Sequence, residues 1–164
     1  MRPSLSRWVP AAAAIATLSV AVTVESASNI PVISARTYVG GSAKINVTGS
    51  FQINDDIAID KEASLSDGEM TWLQYGASGL EAPNALVTVS TTEFGLHVAR
   101  GKQTATAGAE DCSGDLVVSG NSITGQYKCQ NVTSYDARTD RMGKVNIEIS
   151  LTATSQTPAS GGFS

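Results

Sequence analysis

The chain has 164 residues, of which 41% are hydrophobic and only 16% charged, and its net charge is −4. Removing Arg2, Arg7 and Glu25 with an N-terminal leader leaves nine basic against fourteen acidic residues. With no basic cluster, nucleic acid is excluded as a partner class, and so is electrostatic attachment to anionic lipid.

The first segment reads as a targeting signal. Arg2 and Arg7 make a positive start, Trp8 to Val24 is apolar with an alanine run at 11–14, and small residues follow at Ser26, Ala27 and Ser28. That is the plan of a secretory signal peptide, expected over residues 1–28 with cleavage after Ser26 or after Ser28. The other reading is a retained anchor, against which Pro10, Thr17, Ser19 and Thr23 weigh. No cysteine lies near the cleavage region and Arg2 and Arg7 are not adjacent, so lipobox and twin-arginine signals are excluded. The expected location is therefore secreted, cell-surface or periplasmic, with no membrane contact beyond the export signal. The remainder, roughly 130 residues, suffices for one hydrophobic core. We expect one domain over 29–154 and a disordered tail over 155–164, where Pro158, Gly161 and Gly162 cluster.

Strand patterns follow in chain order. Residues 43–53 alternate, with Ala43, Ile45, Val47, Phe51 and Ile53 on one face and Lys44, Asn46, Thr48, Ser50 and Gln52 on the other. Asn54-Asp55-Asp56 reads as a turn or bulge before Ile57 and Ile59 resume the pattern. Met70 to Tyr75 carries large side chains on both faces, and Ala85 to Val89 is nearly continuous, so both read as central strands. Phe94, Leu96 and Val98 mark another strand, with His97 on its opposite face. Residues 144–152 alternate cleanly, Val145, Ile147, Ile149 and Leu151 against Lys144, Asn146, Glu148, Ser150 and Thr152.

The sharpest local statement concerns the two cysteines. Gly120-Asn121 is a two-residue hairpin turn, since glycine accepts positive φ at its first central position. Such a turn fixes the register of its arms: Val118 faces Ile123, Leu116 faces Gly125, Gly114 faces Tyr127 and Cys112 faces Cys129. These eight residues share one, mostly apolar, face. The other face pairs Ser113, Asp115, Val117 and Ser119 with Lys128, Gln126, Thr124 and Ser122, as a half-buried ribbon requires. The cysteines fall on a non-hydrogen-bonded pair, where the backbones approach closest, so a Cys112–Cys129 disulfide is expected.

Short strands, frequent turns and no helical period predict an all-β fold, an antiparallel β-sandwich, with a small β-barrel as the alternative. The cysteine hairpin followed by strand 144–152 is similar, in generic hairpin residues, to small exported sandwich proteins and lipoprotein antigens of bacteria. The lipobox cysteine of the latter is missing, and no function follows from the likeness.

Chemistry is sparsely signalled. His97 is the single histidine and no nucleophile elbow accompanies it, so it reads as an outward strand residue. Asp55, Asp56, Asp60 and Glu62 form an acidic group, but without the ligand pattern of a calcium loop. Asp136 and Asp140, interleaved with Arg138 and Arg141, read as a solvated loop. Asn46-Val47-Thr48 and Asn131-Val132-Thr133 match the glycosylation acceptor pattern, which carries meaning only in a eukaryotic host; the alanine-rich leader has a bacterial character. Trp72 and Tyr75 are the candidate ligand-binding residues, as rigid aromatics on a strand with two apolar faces, against which stands the favoured reading of Trp72 as a core residue of a central strand. The expectation is a non-catalytic exported domain without cofactor or metal, binding a protein, glycan or small apolar ligand. A carrier of a small apolar ligand in a β-barrel or an inter-sheet pocket is the first alternative and a small secreted hydrolase the second.

Overall fold

The computed structural model describes residues 33–77 and 81–156. The expected signal peptide and the tail beyond Gln156 lie outside these residues. The described chain is all-β, with eleven strands: β1 Arg36–Gly40, β2 Ser42–Gly49, β3 Ile53–Ala58, β4 Leu65–Ser66, β5 Met70–Tyr75, β6 Pro83–Ser90, β7 Phe94–Arg100, β8 Gln103–Gly108, β9 Cys112–Ser119, β10 Ser122–Asp136 and β11 Arg141–Ser155. All pairings are antiparallel.

Alternation on 144–152 propagates through the whole of β11, whose odd-numbered residues Val145 to Ser155 are buried. Strand structure thus reaches Ser155, one residue past the expected domain end. β11 pairs along its length with β10. The two long strands form a ribbon with two free edges, and the rest of the chain covers them. On the β11 side, β2 pairs with residues 145–151 and β1 with Thr154 and Ser155. On the β10 side, β9 pairs with residues 122–129 and β8 with Ser134 to Asp136.

The result is one sheet folded over on itself. Five strands, in the order β3-β2-β11-β10-β9, make one half; six, in the order β1-β4-β5-β6-β7-β8, make the other. Because β1 and β8 each return to the ribbon, the hydrogen bonding also closes into a ring. The architecture is layered like a sandwich and bonded like a barrel. Gly41 makes the corner between β1 and β2: its φ is 138°, and a Cβ there would collide with the backbone of Thr152. Only glycine lets the strand change halves at that point.

Inward residues of both halves form one core, including Tyr38, Ile45, Leu73, Tyr75, Val87, Leu96, Ile123, Tyr127, Ile147 and Leu151. Phe94 of β7 stacks on Tyr127 of β10, with ring centroids 4.1 Å apart. The Tyr75 hydroxyl of β5 donates to the Thr152 carbonyl of β11 at 3.0 Å. These two contacts join the halves through the interior.

The hairpin register is the expected one in every pair from Ser119↔Ser122 to Cys129↔Cys112. The disulfide is formed, with Cα atoms 4.0 Å apart. Elsewhere the structure corrects the sequence reading. Asn54, Asp55 and Asp56 are not a turn: they lie within β3, opposite Asn46, Ile45 and Lys44. The chain reverses earlier, over 50–52, after Gly49 at φ 126°. The apolar rhythm runs through this reversal because Phe51 folds inward from the bend. Asp136 is likewise not in a loop, because β10 continues past Cys129 over a bulge at Gln130 and Asn131.

Replacing both Cys112 and Cys129 by serine is expected to cost about 3 kcal/mol in urea unfolding, the stabilisation of a short closed loop, with the β circular-dichroism spectrum retained. A second comparison tests the interior. The Tyr127 hydroxyl is buried without a hydrogen-bond partner, so Tyr127→Phe should be neutral or stabilising by up to about 1 kcal/mol, whereas Tyr75→Phe, which orphans a carbonyl, should cost about 1 kcal/mol.

Candidate functional site

The two aromatics marked by the sequence go to different places. Tyr75 is fully buried, and its phenol is pushed well above the ordinary tyrosine range by burial and then by the neighbouring Tyr38. It is a core residue, away from the open surface. Trp72 lies on the outer face of β5, half-buried, with Leu65 and Thr88 as its cross-strand neighbours. Leu65 is partly exposed beside it. The strand looked apolar on both faces because Leu73 and Tyr75 enter the core while Met70 and Trp72 coat the outside.

His97 is on the outer face of β7, with Nδ1 2.9 Å from the Thr106 hydroxyl. Its cross-strand neighbours are Leu86 and Thr106. Partial burial pulls its pKa below the ordinary 6.5. Of the acids, Asp60 accepts the Glu62 amide through Oδ1 at 3.0 Å, a local turn, while Asp55 and Asp56 stand on β3. Among the described residues, no three histidine, cysteine, aspartate or glutamate side chains converge on a metal-sized site.

Grooves gather instead on the outer surface of the five-stranded half. Register carries outward side chains into rows across it. One row runs Asn54, Asn46, Glu148, Lys128, Ser113; the next runs Asp56, Lys44, Ser150, Gln126, Asp115; a third runs Ala58, Ser42, Thr152, Thr124, Val117, its step from Ser42 to Thr152 made by the Thr152 hydroxyl on the Ser42 backbone. Three grooves of about 450, 280 and 440 Å³ lie over these rows. The first shares Lys128 and Glu148 with the second, and the second shares Asp115, Gln126 and Ser150 with the third, so they abut as one trough.

The bulge shapes one end of this trough. Asn131 sits at φ 56°, in the left-handed region that asparagine tolerates better than most residues. Its amide N–H donates to Oδ1 of Asn146 at 3.0 Å. Asn46, Thr48, Gln130, Asn131 and Asn146 thereby line one groove. The trough holds two cations and two anions: Lys128 Nζ is 3.0 Å from Glu148 Oε1, while Lys44 and Asp115 line it outside any ion pair among the described residues. Such exposed pairs contribute little stability. The surface between these charges offers hydroxyls and amides that donate and accept hydrogen bonds, beside apolar patches at Tyr127, Val117 and Leu151.

Sequence reasoning named none of these residues as a ligand site, noting only Asn46 and Asn131 in glycosylation acceptor patterns and Asp56 in an acidic group. Each was visible as the polar half of an alternating strand, but only pairing order brings Asn46, Lys128 and Asn146 together. The fold and this face define a disulfide-clamped, all-β domain with an open polar trough. Compared with protein-family models, curated proteins and solved structures, the chain has no significant match in any of the three.

The His97 environment makes a sign-definite prediction. Its folded-state pKa is depressed, so its contribution to stability is fully present above pH 6.5 and is lost as pH falls through the folded-state value. An NMR titration should place the imidazole below 6.5, and His97→Gln should flatten the loss of stability on acidification in that window; an imidazole titrating above 6.5 contradicts the burial argument.

Proposed function

We propose that this is an exported, non-catalytic binding domain whose polar trough takes a polyhydroxylated ligand, of which an extended glycan is the best fit. Export rests on the leader pattern of residues 1–28 together with the disulfide, which belongs to an oxidising compartment. The observation that carries the ligand reading is the trough: three abutting grooves across the five-stranded face, one lined mainly by amides and hydroxyls and two that set such groups beside apolar patches at Tyr127, Val117 and Leu151, with as many cationic as anionic side chains. A chain of sugar hydroxyls matches that lining. A strongly charged ligand would meet compensated charge, and an apolar one would desolvate polar groups without return.

The interior favours this reading over a carrier. Large side chains from both halves meet there, with Tyr38, Tyr75, Tyr127, Leu73, Leu96 and Ile147 all fully buried. The described grooves lie on the outside. A hydrolase reading has less support, since His97 pairs with Thr106 on the opposite half of the molecule from the trough.

Glycan arrays followed by titration calorimetry test the proposal. The expected result is retention of an extended neutral glycan, with affinity little changed between low and high salt. The double variant Asn46→Ala/Asn146→Ala should weaken binding at least about tenfold, two lost hydrogen bonds of about 1 kcal/mol each, while His97→Ala leaves it unchanged. Failure of every glycan to bind, or binding indifferent to both asparagines, refutes the trough as the site.

A further inference from the structure

The five-stranded half ends in two edges, β3 and β9, and they are built differently. β3 carries Asp55 and Asp56, both exposed, which protect an edge against pairing. β9 has neither lysine nor proline and a single charge, Asp115, and its Val117 is 52% exposed. We propose that β9 is the pairing edge of a two-fold homodimer, in which two copies of this chain add their five-stranded halves into one continuous sheet.

The backbone supplies the first argument. In a hairpin with a two-residue turn, Ser113, Asp115, Val117 and Ser119 turn their N–H and C=O groups toward β10. Gly114, Leu116 and Val118 must therefore turn theirs away. β9 pairs with β10 alone, and no other backbone bond reaches these three residues among those described. The strand thus presents a row of unspent donors and acceptors to the next strand that arrives.

The second argument selects the partner. A two-fold antiparallel pair must be centred on a residue of β9, and the candidate centres differ. Centring on Asp115 sets two carboxylates face to face, which repels. Centring on Val117 sets the exposed valines against each other as a non-hydrogen-bonded pair, where side chains approach closest. In that register Leu116 exchanges backbone hydrogen bonds with Val118 of the second copy, and Asp115 faces the second copy's Ser119, a hydrogen-bond donor. The strand is self-complementary about Val117, as an isologous contact requires. Since the third groove is lined by Asp115 and Val117, the two polar faces would meet edge to edge. A single strand edge covers less surface than a standard stable interface, so the dimer should be in rapid exchange.

Sedimentation of the intact secreted protein from micromolar to millimolar concentration should show a monomer–dimer equilibrium. Val117→Lys should abolish it, with thermal unfolding of the monomer little changed because the side chain is already exposed. Val117→Cys should form a symmetric intermolecular disulfide on air oxidation, with Cys112–Cys129 intact by non-reducing peptide mapping, whereas Asp115→Cys should not cross-link to itself. A monomer at every concentration overturns the proposal, as does self-linking at 115 without linking at 117.

Discussion

A pair of fifteen-residue strands cannot stand alone in water with both edges open, and the architecture follows from how β10 and β11 are covered. Each edge is longer than any other described strand, so each takes two partners: β2 and β1 along β11, β9 and β8 along β10. The two partners on an edge belong to different halves of the molecule. Satisfying the backbone of the ribbon therefore closes the hydrogen bonding into a ring while the side chains still pack as two layers. The short strand β4 completes the ring, and Ser64 and Ser66 help it do so, through Ser64 Oγ to the Gln74 backbone and Ser66 Oγ to the Ile33 carbonyl.

The interior is held by aromatic residues with polar tips. Burial raises the Tyr127 phenol to about 12, assisted by the Asp115 carboxylate, so the ring is neutral at any physiological pH and its stacking on Phe94 is insensitive to acid. Tyr75 spends its hydroxyl on the Thr152 carbonyl, a tie between layers from the ribbon to the centre of the opposite half. The disulfide lies at the far end of β9, where that strand begins, and holds the hairpin to the ribbon where it leaves the β8 turn. Contacts through the core, one covalent link and ring closure thus act at three separate places.

Function, on this reading, belongs to the side of the ribbon that faces water. The same register that sends Val145, Ile147, Ile149 and Leu151 inward sends Asn146, Glu148 and Ser150 outward, next to Asn46, Lys128 and Gln126. The bulge at Gln130 and Asn131 breaks the regularity of that face at one end and commits the Asn146 carbonyl oxygen to the backbone. Bulges re-aim side chains in this way beside binding surfaces in many sheets. Trp72, marked by its chemistry in the sequence, lies on the other half beside Leu65.

What could be read from the sequence was local. The Gly120-Asn121 turn sets the register of both arms with no help from the rest of the chain, so the cysteine pairing and the apolar face of β9 and β10 were legible, as was the clean alternation of 144–152. β1 and β8 were not. The inward residues of β8 are only Ala105 and Ala107, which leave almost no apolar rhythm, and β1 changes halves at Gly41. Which strands neighbour one another was decided by pairings between residues far apart in the chain, such as Glu148 with Asn46. Alternation tells a residue which face it takes but not who stands beside it. The core, fixed by side-chain period, was therefore written in the sequence, while the trough, which exists only where residues of four separate strands come together, was settled by the tertiary structure.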